Sequence, residues 1–261
     1  MELLVVMAIV AVLMGLVMPA VMQMRVNALR VKCINNEKNI ATAIIAHEAT
    51  KQSLPFLYNN QTGWTVAILE QLGEGKLAEA FLTGGSQTPL ATLKCPAGDA
   101  DRTGLSYSVN HGQGNLGSET EKIASGLLYA YDQDKPNQKY NLKSIKDGAS
   151  NTILLMESLK SRGMNKSWWD RLNWTAPDGS DTVGFTWDKS VNDPLSKDTL
   201  DGLRKKGQYF DSQHPNVGII AFADGSVRPI NKQISYNTYK CLMAPNDNVL
   251  NLVLGDDPNL E

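Results

Sequence analysis

The chain begins with a long apolar segment that carries no charge. No charged side chain occurs from Leu3 to Gln23, and Gln23 is the first polar one. A helix rises about 1.5 Å per residue, so residues 3–24 would reach ~33 Å, enough to cross a hydrocarbon layer of about 30 Å. A secretory signal has a basic start and a shorter apolar run of about 7–15 residues, whereas this segment follows the acidic Glu2. The pattern therefore predicts a membrane-spanning helix.

The helical pattern continues beyond the apolar segment. Side chains recur at helical spacing on one stripe, with charged residues off it, and the stripe comprises Val26, Leu29, Cys33, Ile40, Ile44 and His47. Ser53-Leu54-Pro55 predicts the end, because the residue before a proline avoids helical geometry. Residues 3–52 are therefore predicted to form one helix. Its transmembrane or assembly half is assigned to 1–24, and its amphipathic half, which packs on a globular head, to 25–53.

The rest of the chain reads as a soluble α+β head. Gly63–Phe81 predicts a short helix, and beyond it short apolar runs alternate with Gly-, Asn- and Asp-rich joints. The predicted strands are Ser106–Val109, Ile123–Tyr131, Thr152–Met156, Val183–Trp187, Val217–Phe222 and Val227–Ile230. The predicted fold is a long N-terminal helix packed on an antiparallel-rich β-sheet head, assigned to 54–245. A loosely held C-terminal tail is expected over 246–261.

Composition and charge exclude several classes of function. The 261 residues carry 25 basic and 27 acidic side chains, for a net charge of −2, which argues against a protein held on nucleic acid by bulk charge. The three cysteines and three histidines lack the spacing of a zinc finger or an iron–sulfur site, and three scattered histidines do not make a His-rich metal centre. No G-x-S-x-G, H-E-x-x-H or Walker loop occurs, so neither an enzyme nor a catalytic residue is predicted.

Two Asp-Gly dipeptides predict turns. Glycine supplies positive φ and aspartate caps the turn at Asp147-Gly148 and at Asp224-Gly225. The second dipeptide lies between two predicted strands and indicates a β-hairpin. His214 is expected to hydrogen-bond across this hairpin.

Tryptophans cluster in one stretch. Trp168, Trp169, Trp174 and Trp187 are four of the five in the chain. If the first three are exposed, they form a candidate binding surface for polysaccharide or protein. The alternative is that they build the core of an insertion that follows the predicted strand Thr152–Met156.

Three segments of the sequence resemble a known family. Glu2-Leu-Leu-Val-Val-Met-Ala-Ile-Val, followed by Pro19, resembles the N-terminal helix of type IV pilins and type II secretion pseudopilins. Cys33-Ile-Asn-Asn-Glu-Lys and the stretch from Ile145 to Glu157, which contains Asp147-Gly148 and Asn151-Thr152, are similar to one subgroup, pilin-like proteins with a C-terminal H-x9-D-G segment. That segment matches here as His214, nine residues and Asp224-Gly225. The subgroup is a domain of unknown function typical of planctomycetes, and the resemblance spans residues 2 to about 245.

The resemblance implies a structural subunit of an extracytoplasmic filament or secretion apparatus. Glu2 would meet the N-terminal amine of a neighbouring subunit, and Pro19 would let the helix bend during packing. The alternatives are an interfacial glutamate solvated by headgroups and a tolerated membrane proline. The implied partners are further subunits in a homo- or hetero-filament, the inner membrane through residues 3–24, and a pilus or type II secretion assembly machinery.

The resemblance also bears on calcium. Some pseudopilins bind it, which makes Asp224 or Asp147 an alternative cation ligand. No D-x-D-x-D-G loop is present, so no metal or cofactor is predicted.

The charge pattern and the resemblance predict opposite orientations of the head. Arg25, Arg30, Lys32 and Lys38 follow the apolar run, and by the positive-inside rule they would hold the head in the cytoplasm. The family has a basic leader, a Gly-Phe cleavage site and three further mature residues before the position of Met1, and such a leader would reverse the bias. We therefore expect a late start codon or an omitted beginning. The expected location is single-pass in the inner membrane, with the head outside, and a periplasmic or cell-surface filament after assembly.

An extracytoplasmic head makes a disulfide the expected state of two cysteines. Cys33 and Cys95 are the candidates for a bridge that links the long helix to the head, with Cys241 left over. Three free, buried thiols are the alternative. The sequence thus favours a pilin-like structural subunit, and its rival is a membrane-anchored or filament-displayed binding module.

Overall fold

The computed structural model describes most of the helix and the core of the head. The described residues are 2–57, 63–83, 90–98, 105–113, 124–129, 133, 140–157, 184–187, 212–253 and 257–258.

One helix, α1 (Glu2–Lys51), forms the N-terminal fifth of the chain. Its first half is exposed throughout, and Cys33 is its first fully buried residue. The helix continues through Pro19 and ends where Gln52 adopts a left-handed conformation with φ 56°. A left-handed residue just past the last turn is a common helix terminator. The predicted single helix, apolar in its first half and amphipathic in its second, is confirmed.

Short helices surround the sheet of the head. They are α2 (Trp64–Ala67), α3 (Gly75–Leu82), a 3-10 turn at Ala91–Leu93, a second at Leu142–Ser144, α4 (Tyr236–Met243) and α5 (Asp247–Leu250). The single helix predicted over Gly63–Phe81 is wrong. Gly73 adopts φ 83° between α2 and α3, which only glycine does at low cost, and the chain reverses there with a 2.8 Å hydrogen bond from the Glu74 amide to the Leu69 carbonyl.

The sheet has five described strands in the order β3-β1-β2-β4-β5. They are β1 (Tyr107–Gln113), β2 (Ile153–Glu157), β3 (Gly184–Trp187), β4 (Val217–Phe222) and β5 (Val227–Asn231). The pairs β1/β2, β2/β4 and β4/β5 are antiparallel, and β3 joins β1 in parallel. The predicted α+β class is therefore confirmed.

One predicted strand is absent from the described structure. Residues 124–129, inside the predicted Ile123–Tyr131, form no strand. The amides of Leu127 and Leu128 both donate to the Asn110 carbonyl instead. The backbones of Gly126 and Gly112 are in such close contact that a Cβ at Gly126 would collide with the Gly112 nitrogen. This approach of two glycines replaces a regular ladder.

Apolar side chains pack on both faces of the sheet. Ile219 and Leu155 face α1, where Ile40 and Ile44 complete the core, while Met156 and Phe222 belong to the core on the α4 side. The register of β2 against β4 shifts between Ile153 and Leu155, so Leu154 and Leu155 both join the α1 side. After this bulge the alternation resumes, which returns Glu157 to the α1 face beside its strand partner Tyr107.

The C-terminal segment packs on the head. Leu250 in α5 is fully buried. The Asp257 carboxylate accepts hydrogen bonds from the Ser235 amide at 2.6 Å and from the Thr238 hydroxyl at 2.8 Å. The expectation of a loosely held tail is therefore wrong for its described part, because a cap of α4 depends on an aspartate of the tail.

The turn between β4 and β5 lies directly against α1. Gly225 has φ 80°, and its carbonyl accepts a 2.6 Å hydrogen bond from the Lys38 ammonium. The amide of Asp224 donates to the Ala149 carbonyl, so this turn also contacts the turn that contains Gly148, where φ is 95°. The two Asp-Gly segments, 77 positions apart by subtraction of their residue numbers, thus meet beside the helix.

Replacement of Gly225 tests this contact. A Cβ there would lie 3.1 Å from Ile45 Cδ1 and would occupy a left-handed conformation. We expect Gly225→Ala to lower the free energy of unfolding by about 1–2 kcal/mol. Urea unfolding should show no such loss for the control Gly75→Ala, whose added Cβ meets nothing within 4 Å. Equal stability of the two variants would contradict the proposed fit.

Candidate functional site

Four elements bring a group of polar side chains together beneath α1. The group, here called the Cys/His/Glu cluster, consists of Cys33, Cys95, Glu157 and His214, and all four are buried. Cys33 comes from α1, Cys95 follows the first 3-10 turn, Glu157 ends β2 and His214 precedes β4. Their two sulfurs, a carboxylate oxygen and an imidazole nitrogen lie within 4.8 Å of one another.

A disulfide joins the two cysteines of the cluster. The Cα atoms of Cys33 and Cys95 are 5.4 Å apart, inside the usual range for disulfides, and the two residues are 62 positions apart in sequence. In the chain-entropy model a loop of this size corresponds to a stabilisation of roughly 4 kcal/mol. Beside the bridge, the side-chain amide of Asn36 donates a 2.9 Å hydrogen bond to the Lys94 carbonyl, so the same turn of α1 contacts the same loop twice. Cys241 is free and buried.

His214 and Glu157 form a buried pair next to the bridge. His214 Nε2 lies 3.2 Å from Glu157 Oε1 and 3.8 Å from Cys95 Sγ. The hydroxyl of Ser212 donates to the other oxygen of Glu157 and accepts a hydrogen bond from the His214 amide at 3.0 Å. His214 therefore does not hydrogen-bond across the hairpin as predicted. The segment before β4 directs it toward β2 instead.

A second carboxylate, Glu37, is buried close to this pair. It lies one helical turn after Cys33 and is fully buried. Burial, and to a smaller degree the charge of Glu157, raise the pKa of Glu37 well above its ordinary value. Burial likewise raises the pKa of Tyr107, with the nearby Glu37 and Glu157 adding to the effect. The site therefore disfavours the ionised form of Glu37, because burial removes water from its carboxylate and the nearby Glu157 adds repulsion.

A smaller polar contact connects the first Asp-Gly segment to the C-terminal helix. The Asp147 carboxylate accepts a 2.6 Å hydrogen bond from the Asp247 amide. Burial and the charge of Asp147 raise the pKa of Asp247 to about 7. Burial, followed by Asp247, raises the pKa of the Cys241 thiol to about 12, which leaves this cysteine protonated and unreactive.

The remaining predicted site residues are dispersed. Glu2 and Pro19 lie in the exposed half of α1. Asn151 donates from its side chain to the Asp147 carbonyl at 3.1 Å and so closes the turn that contains Gly148. Asp224 accepts from the Ser226 amide at 2.7 Å. Trp168, Trp169 and Trp174 lie outside the described residues.

Among the described residues, one group of at least three His, Cys, Asp or Glu side chains has the spacing of a metal site, namely the Cys/His/Glu cluster. It includes neither Asp147 nor Asp224, the alternative cation ligands. Thiolate, imidazole and carboxylate are the groups that bind zinc, whereas calcium takes oxygen ligands.

Comparison with known families identifies the domain that carries this cluster. The model of a family described as "Protein of unknown function (DUF1559)" matches residues 22–236, which is most of the chain. The chain belongs to this family. The match contains every member of the Cys/His/Glu cluster and both Asp-Gly segments, and it begins near the end of the apolar half of α1. No curated protein and no solved structure matches the chain.

In this DUF1559 domain, sequence reasoning missed two members of the buried site. Glu37 and Glu157 lie in segments that resemble the family, but the sequence patterns predict a role for neither. A signal for Glu37 exists in the spacing, since 33, 37, 40 and 44 follow one face of α1 and a carboxylate on that apolar stripe is unusual. Glu157 has a weaker signal, because it reaches the α1 face only through the bulge in β2.

The raised pKa of Glu37 predicts how stability depends on pH. The folded protein binds the Glu37 proton more tightly than the unfolded chain does, where the pKa of this carboxyl is about 4.5. The stabilisation is therefore complete below about pH 4.5 and is lost as pH rises through the folded-state pKa, by at most about 1.4 kcal/mol per pH unit. Glu37→Gln should flatten this decline in urea unfolding across a pH series. Glu48→Gln, on the same helix, should keep the wild-type slope, and a wild-type slope in Glu37→Gln would contradict the argument.

Proposed function

We propose that the protein is a pilin-like structural subunit that is anchored in a membrane by the first half of α1 and assembles through it. The main support for the proposal is that one continuous helix, α1, has two halves with different surroundings. Its N-terminal half is long and apolar enough to cross a membrane and has no buried residue in its most apolar window, while its second half is part of the core of the head.

The exposed half of α1 needs an apolar surround. Leucine, valine, isoleucine and methionine side chains are exposed along it, for example Leu3 at 79% and Leu16 at 69% of their surface. Contiguous apolar surface of this extent marks a membrane or protein interface. Before assembly, lipid would surround this half of α1. In a filament, the apolar halves of neighbouring subunits would cover it.

Glu2 supports assembly over simple anchoring. A carboxylate at the start of an apolar segment is costly unless it is paired. In a filament the amine of a neighbouring chain would supply the partner, and the pairing would select one axial stagger of helices whose apolar contacts are non-directional. The Cys33–Cys95 disulfide supports a head on the oxidising side of the membrane. The rival function, a binding module with a surface of Trp168, Trp169 and Trp174, depends on residues outside the described part of the chain.

Removal of the apolar half tests the anchor. A chain without residues 1–24 loses the exposed apolar surface but retains every buried residue of α1. We expect it to be soluble, monomeric and folded, as measured by light scattering and circular dichroism, whereas the full chain should require detergent. Aggregation or unfolding of the shortened chain would mean that the apolar half belongs to the core of the head.

Substitution of Glu2 tests assembly separately. Full-length protein is expressed behind a prepilin-type leader, and membrane and sheared filament fractions are compared. We expect Glu2→Gln to insert normally but to lower filament yield at least about tenfold, which corresponds to a lost pairing energy of about 1.4 kcal/mol or more. Glu48→Gln, in the half of α1 outside the apolar segment, is the matched control. Equal filament yield from Glu2→Gln and wild type would exclude the pairing role.

A further inference from the structure

Two buried carboxylates, Glu157 in the Cys/His/Glu cluster and Glu37 beside it, have few partners among the described residues. Glu157 and Glu37 are both buried, and among the described residues the one basic side chain within 4 Å of either carboxylate is His214. Neither oxygen of Glu37 has a hydrogen-bond partner of good geometry in the described structure. Buried polar atoms without partners are rare in folded proteins and indicate a missing proton, water or ion.

The distances within the cluster approach those of a tetrahedral metal site. With zinc–nitrogen and zinc–oxygen bonds of about 2.0–2.2 Å and zinc–sulfur bonds of about 2.3 Å, the nitrogen–oxygen edge of the tetrahedron is about 3.3 Å and the sulfur–nitrogen edge about 3.6 Å. The corresponding distances here are 3.2 Å between His214 Nε2 and Glu157 Oε1 and 3.8 Å between Cys95 Sγ and His214 Nε2. The two sulfurs, bonded to each other, are too close for such a site, since a tetrahedral site separates them by about 3.8 Å.

We propose that Cys33, Cys95, Glu157 and His214 bind one zinc-like divalent cation when the disulfide is reduced, so that metal and disulfide are alternative states of one site. A dithiol reductant breaks the sulfur–sulfur bond, becomes a cyclic disulfide itself and leaves two thiols. The cation then binds both sulfurs and displaces their two protons. Two thiolates, one carboxylate and a neutral imidazole give the bound site a net charge of −1 with a divalent ion, less than the bare thiolates and carboxylate would carry.

The bound metal would replace the disulfide as a crosslink between α1 and the head. The four side chains come from distant parts of the sequence, so a bound metal, like the disulfide, joins α1 to the loop at Cys95 and to the sheet. Metal binding to a site that exists only in the folded chain adds directly to folding free energy. A reduced head that has lost the stabilisation of the disulfide would regain stability from the cation.

The experiment uses the full chain in detergent with Co2+ as the spectroscopic probe. After reduction with a phosphine under argon, Co2+ should bind at one ion per chain, with the visible bands of tetrahedral cobalt and a thiolate-to-cobalt band in the near ultraviolet. Zn2+ should displace it. The oxidised protein should show neither band. Cys241→Ser is the matched control and should behave like wild type, because this cysteine is outside the cluster.

Two variants identify the ligands. His214→Asn should weaken cobalt binding at least about tenfold, and Cys33→Ser should reduce the thiolate band and the affinity together. Circular dichroism follows folding in each sample. If the reduced chain unfolds, Zn2+ should restore the folded signal in wild type and in Cys241→Ser. Failure of the reduced chain to bind stoichiometric cobalt, failure of Zn2+ to refold it, or an unchanged cobalt spectrum in His214→Asn would overturn the proposal.

Discussion

The packing of the second half of α1 on the sheet is the interaction on which the rest of the head depends. Ile40 and Ile44 fill one of the two apolar cores that the described residues form, and Trp64 is fully buried in the same core. Polar contacts of α1 lie on the buried face at Cys33 and on its two flanks at Asn36 and Lys38. Because apolar burial has no direction, these polar contacts are what fix the rotation and height of the helix on the sheet.

The buried carboxylates give this interface a chemical character that an apolar interface would not have. Placing Glu37 and Glu157 between helix and sheet costs desolvation free energy, and a hydrophobic pair of similar volume would stabilise the fold at least as well. Their burial is therefore better explained by a property other than stability. A proton held on Glu37, or a cation in the reduced site, would lower the negative charge buried there.

Much of the fold could be predicted from local patterns, and the failures share a cause. The apolar run of α1 and the hairpin around Asp224-Gly225 are encoded within short windows, so periodicity and turn chemistry were sufficient. The missing strand near Gly126 and the docked tail depend on distant partners, Gly112 and Ser235, that no window contains. The same applies to the site. His214 and the cysteines could be selected as candidates from the sequence. Their contact with Glu157 could not be predicted, because it depends on a bulge that shifts β2 by one residue.

The position of the disulfide has a mechanical consequence. Cys33 is the first fully buried residue of α1, so it marks the height at which the helix enters the head. Tension along the exposed half, as in a filament under load or a subunit extracted from a bilayer, arrives at this covalent bond before it reaches the noncovalent contacts of Glu37, Ile40 and Ile44. The bond transmits the force through Cys95 into the body of the head and shields the helix–sheet interface from shear. In a reduced head the noncovalent contacts between helix and sheet would bear the full load, and they would break one after another from the N-terminal end of the interface.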